Sequence, residues 1–283
     1  MPPRANLRAI ALHAALILGA AALAVPIWLA FVAATRASAD FVAGDVGWLP
    51  GPHGFANFWT VLAAGDSADG LPPAWPMLLT TLVVALLIAL GKIAVSLPAA
   101  FAVTYFRFPF RSLAFWTIFL TLMLPVEVRI VPTFQVVADL GLLNSWAGLS
   151  LPLIASATAT FLFRQTFMSV PDELTEAARI DAAGPLRFFF DVLLPLSRTN
   201  VAALFVILFI YGWNQYLWPL MVTTEPRFYT IVVGIQRLAL AADEGTAVWH
   251  YVMATAILAL VPPVAVVVGM RKLFVRGLVE TEK

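Results

Sequence analysis

Long apolar runs separated by short polar segments set the pattern of this chain. A helix needs roughly 20 apolar residues to cross a ~30 Å hydrocarbon layer. Six segments meet that requirement: residues 9–34, 77–106, 113–137, 149–168, 200–222 and 247–274. Proline interrupts several of them, notably in "SLPAAF" and "MLPVEVRIVP". It removes an intrahelical hydrogen bond, which membrane helices accommodate where a neighbour or a water-lined cavity satisfies the freed carbonyl. The expectation is an all-α polytopic membrane protein with six transmembrane helices.

One segment breaks the apolar pattern. Between the fourth and fifth spans, residues 171–195 carry Asp172, Glu173, Glu176, Arg179, Asp181, Arg187 and Asp191. Ser169 and Asp172 have S-x-x-D capping spacing, Pro171 suits a first turn, and acidic Asp172 and Glu173 complement the helix dipole, so a helix is expected to begin here. Leu174, Ala177 and Ala178 form an apolar stripe beside Glu173, Glu176 and Arg179, with Ile180 on the polar side. Asp181, Ala182, Ala183 and Gly184 read as a turn, Pro185 as the start of a second helix, and Pro195 as its stop. Such an elbow could lie at headgroup level with its charges solvated. Its small residues favour the alternative of a docking helix, since they let another protein surface approach the backbone.

Composition places the chain in a bilayer. It has 283 residues, is 61% hydrophobic and 12% charged, and its mean hydropathy is +0.91. One soluble core of this size could not bury that much apolar surface. A net charge of +1 argues against a nucleic-acid partner. The chain lacks cysteine, and His13, His53 and His250 share no ligand spacing, so no metal site is expected. Arg4 and Arg8 precede an apolar run that "ASA" follows, as in a signal peptide. That run is about 26 residues, longer than the roughly 7–15 of a signal h-region, so a retained first helix is expected.

Positive residues concentrate in cytoplasmic loops. With the N-terminus inside, the inner segments and span ends receive Arg4, Arg8, Arg107, Arg111, Arg164, Arg179, Arg187, Arg198, Arg271, Lys272, Arg276 and Lys283, against Arg36, Arg227 and Arg237 outside. Both termini and the charged elbow are therefore expected in the cytoplasm. The long outer loop rich in Gly, Pro and Asp sets a boundary near Pro76. The expected organisation is residues 1–76 as N-terminus, first helix and outer loop, 77–276 as a five-helix core with the elbow helix at about 171–184, and 277–283 as a tail.

The residues Glu176, Ala177, Ala178, then Ala182, Val192, Leu194 and Pro195 resemble the EAA signature of inner-membrane permeases of binding-protein-dependent ABC importers, of the carbohydrate-uptake type. Glycine is usual where Ala182 stands and isoleucine where Val192 stands, which leaves Gly184 to relieve the turn. The likeness extends over nearly the whole chain through "LTLMLPVEVRI", the run from "ASATATF" to "LWPL", and "FVRGLVETEK"; in these it is similar to second permease subunits of sn-glycerol-3-phosphate importers. The resemblance implies a type I importer permease fold. It also implies a related second permease, two copies of a cytoplasmic ATPase, a periplasmic solute-binding protein, and transport of sn-glycerol-3-phosphate and glycerophosphodiesters across the inner membrane by alternating access. The elbow then becomes a coupling helix, with Glu173, Glu176, Ala177, Ala178, Arg179, Asp181, Ala182 and Gly184 seated on the ATPase. ATP and magnesium would belong to that partner, and no cofactor to this chain. The sequence agrees in containing no G-x-x-x-x-G-K-[ST] phosphate loop.

Candidate path residues are the polar groups inside spans, each costing roughly 2.5–3.5 kcal/mol at mid-helix on insertion scales. Lys92 lies near the middle of the second span. Glu127 lies about 14 residues into the third, ~21 Å across at ~1.5 Å per residue, with Arg129 further out. Lys92 and Arg129 could line the path of a phosphate-bearing solute with Glu127 orienting one of them, or all three could serve helix packing. In "YGWNQYLWPL", Asn214 and Gln215 could bond solute hydroxyls or join helices. Other readings are a permease for another sugar or polyol and an ion-coupled secondary transporter. The latter calls for inverted repeats, and none is evident. A membrane enzyme lacks any catalytic constellation, such as G-x-S-x-G or H-E-x-x-H.

Overall fold

The computed structural model describes residues 4–44, 47–65, 72–121, 126–243 and 248–280, with the side chains of 4–8, 126, 127 and 274–280 outside that description. Every regular element among the described residues is a helix, and none is a strand. They form two compact units, 1–76 with 234–261, and 77–233 with 262–283.

In the first unit, α1 (Arg4–Ala34) is followed by the short α2 (Ser38–Val42) and α3 (Gly54–Trp59). Asn57 ties this segment down: its amide donates to the carbonyls of Ala34 and Arg36, while Arg36 donates to Leu49. These bonds tie residues 49–57 to the end of α1.

The second unit is built on α4 (Trp75–Tyr105), joined by α5 (Arg111–Leu120), α6 (Val126–Asp139), α7 (Trp146–Ile154) and α8 (Ala157–Met168). Then come the elbow helices α9 (Asp172–Ile180), α10 (Pro185–Phe188) and α11 (Leu194–Leu196), followed by α12 (Arg198–Trp213) and α13 (Leu217–Val222). The chain ends with α14 (Ile231–Asp243), most of which belongs to the first unit, and α15 (Trp249–Glu280), which is divided between the two at residue 261. Three stretches, Ala9–Ala34, Trp75–Tyr105 and Trp249–Leu273, are long and apolar enough to cross a bilayer, and two bent pairs bring the number to as many as five among the described residues. The expected third span, 113–137, is divided between α5 and α6, and residues 122–125 between them lie outside the described residues.

Two other expected spans are broken rather than continuous. The fourth bends by 48° between α7 and α8, where Ser156 caps the new helix by accepting the Ala159 N–H at 3.2 Å. A serine side chain that satisfies a free N–H makes such a restart cheap inside a membrane protein. The fifth ends at Asn214, and a separate short helix, α13, carries Trp218.

Close approaches hold this unit together. A Cβ on Gly212 would meet Ala85 Cα at 3.0 Å, so α12 lies against α4 at a backbone approach that a glycine eases. The Trp218 indole donates to the Gly148 carbonyl at 3.1 Å, and Ser96 donates to the Ser156 carbonyl at 3.3 Å. Val84, Ile88, Ile130, Leu149, Trp218 and Val222 form the buried core between these bonds.

Candidate coupling helix and transport cavity

The elbow starts differently from its sequence pattern. Pro171 is the residue that caps α9, without a side-chain hydrogen bond, and the Ser169 hydroxyl instead donates to the Thr166 carbonyl at the end of α8. Ser169 therefore closes one helix rather than opening the next. Asp172 and Glu173 do occupy the first turn and Arg179 the last, the arrangement that complements the dipole.

The end of α9 is a Schellman turn. Ala183 N–H donates to the Ala178 carbonyl at 2.9 Å, and Ala182 N–H to the Arg179 carbonyl at 3.1 Å. Such a turn places its C′ residue in the left-handed region, and Ala182 takes that position with φ +53°. Gly184 does not take over the turn: its φ is −66° and ψ 164°, extended backbone leading into Pro185 at the first turn of α10. The family's usual glycine thus has a geometric reason, and this chain meets the same geometry with alanine, at a cost of roughly 1 kcal/mol.

Past α10 the helix widens into a π turn over Phe189–Leu193, where Leu194 N–H reaches the Phe189 carbonyl. The wider turn accommodates the Pro195 ring, which would clash with the carbonyl four residues before it in a regular helix. Pro195 therefore does not stop the helix. The chain turns at Ser197, with a 73° bend into α12.

The two faces of α9 differ. Glu173, Glu176, Ala177 and Ile180 are exposed along one side, as are Asp181, Ala182 and Gly184 at the turn. Thr175 and Ala178, both half-buried, and the exposed Arg179 line a crevice against the end of α4. Behind the elbow, Phe188 and Phe189 are buried, with ring centroids 5.3 Å from Tyr105 and 5.0 Å from Phe101 respectively. Tyr105 in turn donates to the Phe167 carbonyl of α8 at 3.0 Å. This aromatic socket ties the elbow to α4 and α8.

A second cavity, of about 610 Å³, is lined by residues from α4, α5, α6, the α7–α8 break and α12. Lys92 and Arg129 both line it. Lys92 is 7% exposed, and its ammonium sits 4.1 Å from the centre of the Tyr211 ring. Neither cation has an ion pair among the described residues. Glu127 is on the same helix as Arg129, but its side chain lies outside the described residues. The hydroxyls of Thr117, Ser156 and Thr158 add polar groups to the wall. Asn214 and Gln215 are not part of it: Asn214 is exposed at the end of α12, and Gln215 donates to the Tyr211 carbonyl at 3.0 Å. Tyr211 and the threonines escaped the sequence reading, because a tyrosine in an aromatic run and hydroxyls within apolar spans carry no spacing signal.

The profile of the family described as binding-protein-dependent transport system inner membrane component matches residues 93–280. The chain belongs to this family. It is therefore a multi-pass inner-membrane permease, part of a binding-protein-dependent ABC transporter complex whose ATPase activity resides in partner subunits. The match includes α9 and most of the cavity wall, though it begins one residue after Lys92. Among similar permeases is the sn-glycerol-3-phosphate transport system permease protein UgpE of Agrobacterium fabrum, 56% identical over 271 residues that cover 96% of each chain. The protein of the same name from Brucella melitensis is 54% identical over the same share. The fold also matches a chain in the crystal structure of a bacterial ABC transporter involved in the import of the acidic polysaccharide alginate. There the TM-score is 0.77 at 22% identity, over 96% of this chain and 98% of that one.

Proposed function

We propose that this permease carries sn-glycerol-3-phosphate inward, with glycerophosphodiesters as further cargo, through the cavity that Lys92 and Arg129 line. One observation carries the reading: two cations from different helices meet in a cavity of about 610 Å³ with no ion pair among the described residues. Lys92 is buried while Arg129 is exposed, and a buried cation without a counter-charge is costly unless an anion arrives to meet it. A phosphate does so, accepting hydrogen bonds from the ammonium and the guanidinium, with Thr117 and Thr158 within the same wall for the glycerol hydroxyls. The names of the similar permeases support the same cargo.

The partners are a related second permease, two cytoplasmic ATPase copies and a periplasmic binding protein, with both termini of this chain in the cytoplasm. Residues 77–276 act as the translocating core, 1–76 as a peripheral segment and 277–283 as a tail. The exposed face of α9, with Glu173, Glu176 and Ala177, docks on the ATPase. Closure of that dimer on ATP displaces α9 as a rigid piece, and the aromatic socket passes the displacement to α4. Tyr105 and Lys92 are separated along α4 by ~20 Å at ~1.5 Å per residue, so one continuous helix, with Pro98 within it, joins docking site and cavity.

ATPase stimulation tests the reading in the reconstituted complex with its binding protein, measured across sn-glycerol-3-phosphate, glycerophosphodiesters and neutral sugars. Stimulation by the phosphorylated solutes is expected; stimulation by neutral sugars alone would overturn the cargo assignment and leave the family untouched.

A further inference from the structure

The crevice behind α9 shares no residue with the transport cavity. It has a volume of about 370 Å³ and two kinds of wall. Phe101, Phe106 and Phe188 supply aromatic surface, and Arg107 and Arg179 supply guanidinium groups. Arg111, the neighbouring cation, is already committed: it donates to the Thr104 and Phe106 carbonyls and closes the end of α4. The guanidinium groups of Arg107 and Arg179 make no side-chain hydrogen bond or ion pair among the described residues, and no carboxylate lines the crevice.

Its depth in the membrane follows from α4. That helix runs for 31 residues, ~46 Å against a ~30 Å hydrocarbon layer, so its last turn reaches the headgroup zone of one leaflet. Aromatic surface beside two unpaired arginines at that depth matches an amphiphile with an anionic head. Both arginines are exposed at the mouth of the crevice; a neutral headgroup would not use their charge, and a fully soluble anion would leave the aromatic wall unused.

We propose that this crevice binds an anionic phospholipid. Its phosphate accepts hydrogen bonds from Arg107 and Arg179, and its glycerol and upper acyl chain lie on Phe106 and Phe188. Thr175 and Ala178 form the opposite wall. The lipid then props α9 against the end of α4 at the joint that carries motion from the ATPase, making coupling dependent on the leaflet's lipid charge.

The test uses the full importer complex in nanodiscs of phosphatidylcholine with or without phosphatidylglycerol. Retained phosphatidylglycerol is counted by native mass spectrometry, and binding-protein-stimulated ATPase activity is measured alongside. Wild type is expected to retain the anionic lipid and to be stimulated more strongly in its presence. Arg107→Gln should lower retention by about tenfold, the loss of one charge-assisted contact, while Arg107→Lys restores most of it. Equal retention by Arg107→Gln and wild type would overturn the site. Displacement of the lipid by millimolar inorganic phosphate would assign the crevice to a soluble anion instead. Loss of ATPase co-purification with lipid retention unchanged would assign Arg107 to the ATPase interface. Either result refutes the lipid proposal.

Discussion

The elbow and the cavity lined by Lys92 and Arg129 lie in one compact unit but are built on opposite plans. The elbow is local: α9, its Schellman turn and α10 lie within 172–188, and each bond that shapes the turn spans a few residues. The cavity is assembled from five separated parts of the chain, with Lys92, Thr117, Arg129, Ser156 and Tyr211 brought together only by packing. A coupling element has to move as one piece, which short-range bonds ensure. A path has to open and close between pieces, which requires walls that belong to different helices.

That contrast is broken most sharply by Glu176→Lys. The substitution reverses a charge on the exposed face of α9 and touches none of the aromatic socket. Uptake by the assembled complex is expected to fall by about 100-fold or more, the scale of a charged interface group replaced by its opposite, with membrane insertion unchanged. Uptake at the wild-type rate would refute the docking face.

In the cavity, Lys92→Met and Arg129→Gln each remove one charged hydrogen-bond donor, worth ~1.5–3 kcal/mol. Each is expected to weaken cargo-dependent uptake by about tenfold or more while the binding protein still docks. Kinetics of uptake against cargo concentration separate this from a folding defect; unchanged apparent affinity and rate would return both residues to helix packing.

Gly212→Val tests the packing beneath the cavity. A side chain there meets Ala85 at backbone distance, so a loss of ~1–3 kcal/mol is expected, read as a lower melting temperature of the complex. The smallest effect expected is at the turn. Ala182→Gly relieves the left-handed alanine and should stabilise the elbow by ~1 kcal/mol or less, whereas Ala182→Val, a β-branched residue at φ +53°, should destabilise it. No change in melting temperature for either would mean that the turn relaxes without strain.

The same division decides what could be read from the sequence. The elbow was legible because its signals are local: acids in the first turn, small residues on one face, Pro185 opening the second helix. It failed at Pro195, which the π turn keeps within the helix, and where two local options competed. Ser169 fits an N-cap by spacing, yet serves the end of α8, and Gly184 is the expected turn residue, yet Ala182 takes the left-handed position. The spans were legible as apolar runs, but hydropathy does not register the restart at Ser156 or the end of α12 at Asn214, since each lies within a stretch that is apolar on average. In the cavity, Lys92 and Arg129 stood out as cations inside spans. Their shared cavity, and Tyr211 beneath the Lys92 ammonium, depend on contacts between helices far apart in the chain.

The most direct test of the central claim, that cavity cations receive an anionic cargo while α9 transmits the power stroke, is uptake of labelled sn-glycerol-3-phosphate by proteoliposomes holding the whole complex with Lys92→Met. The account predicts an uptake rate at least about tenfold below wild type at low cargo concentration, with the complex fully assembled. Uptake indistinguishable from wild type across the concentration range would contradict it.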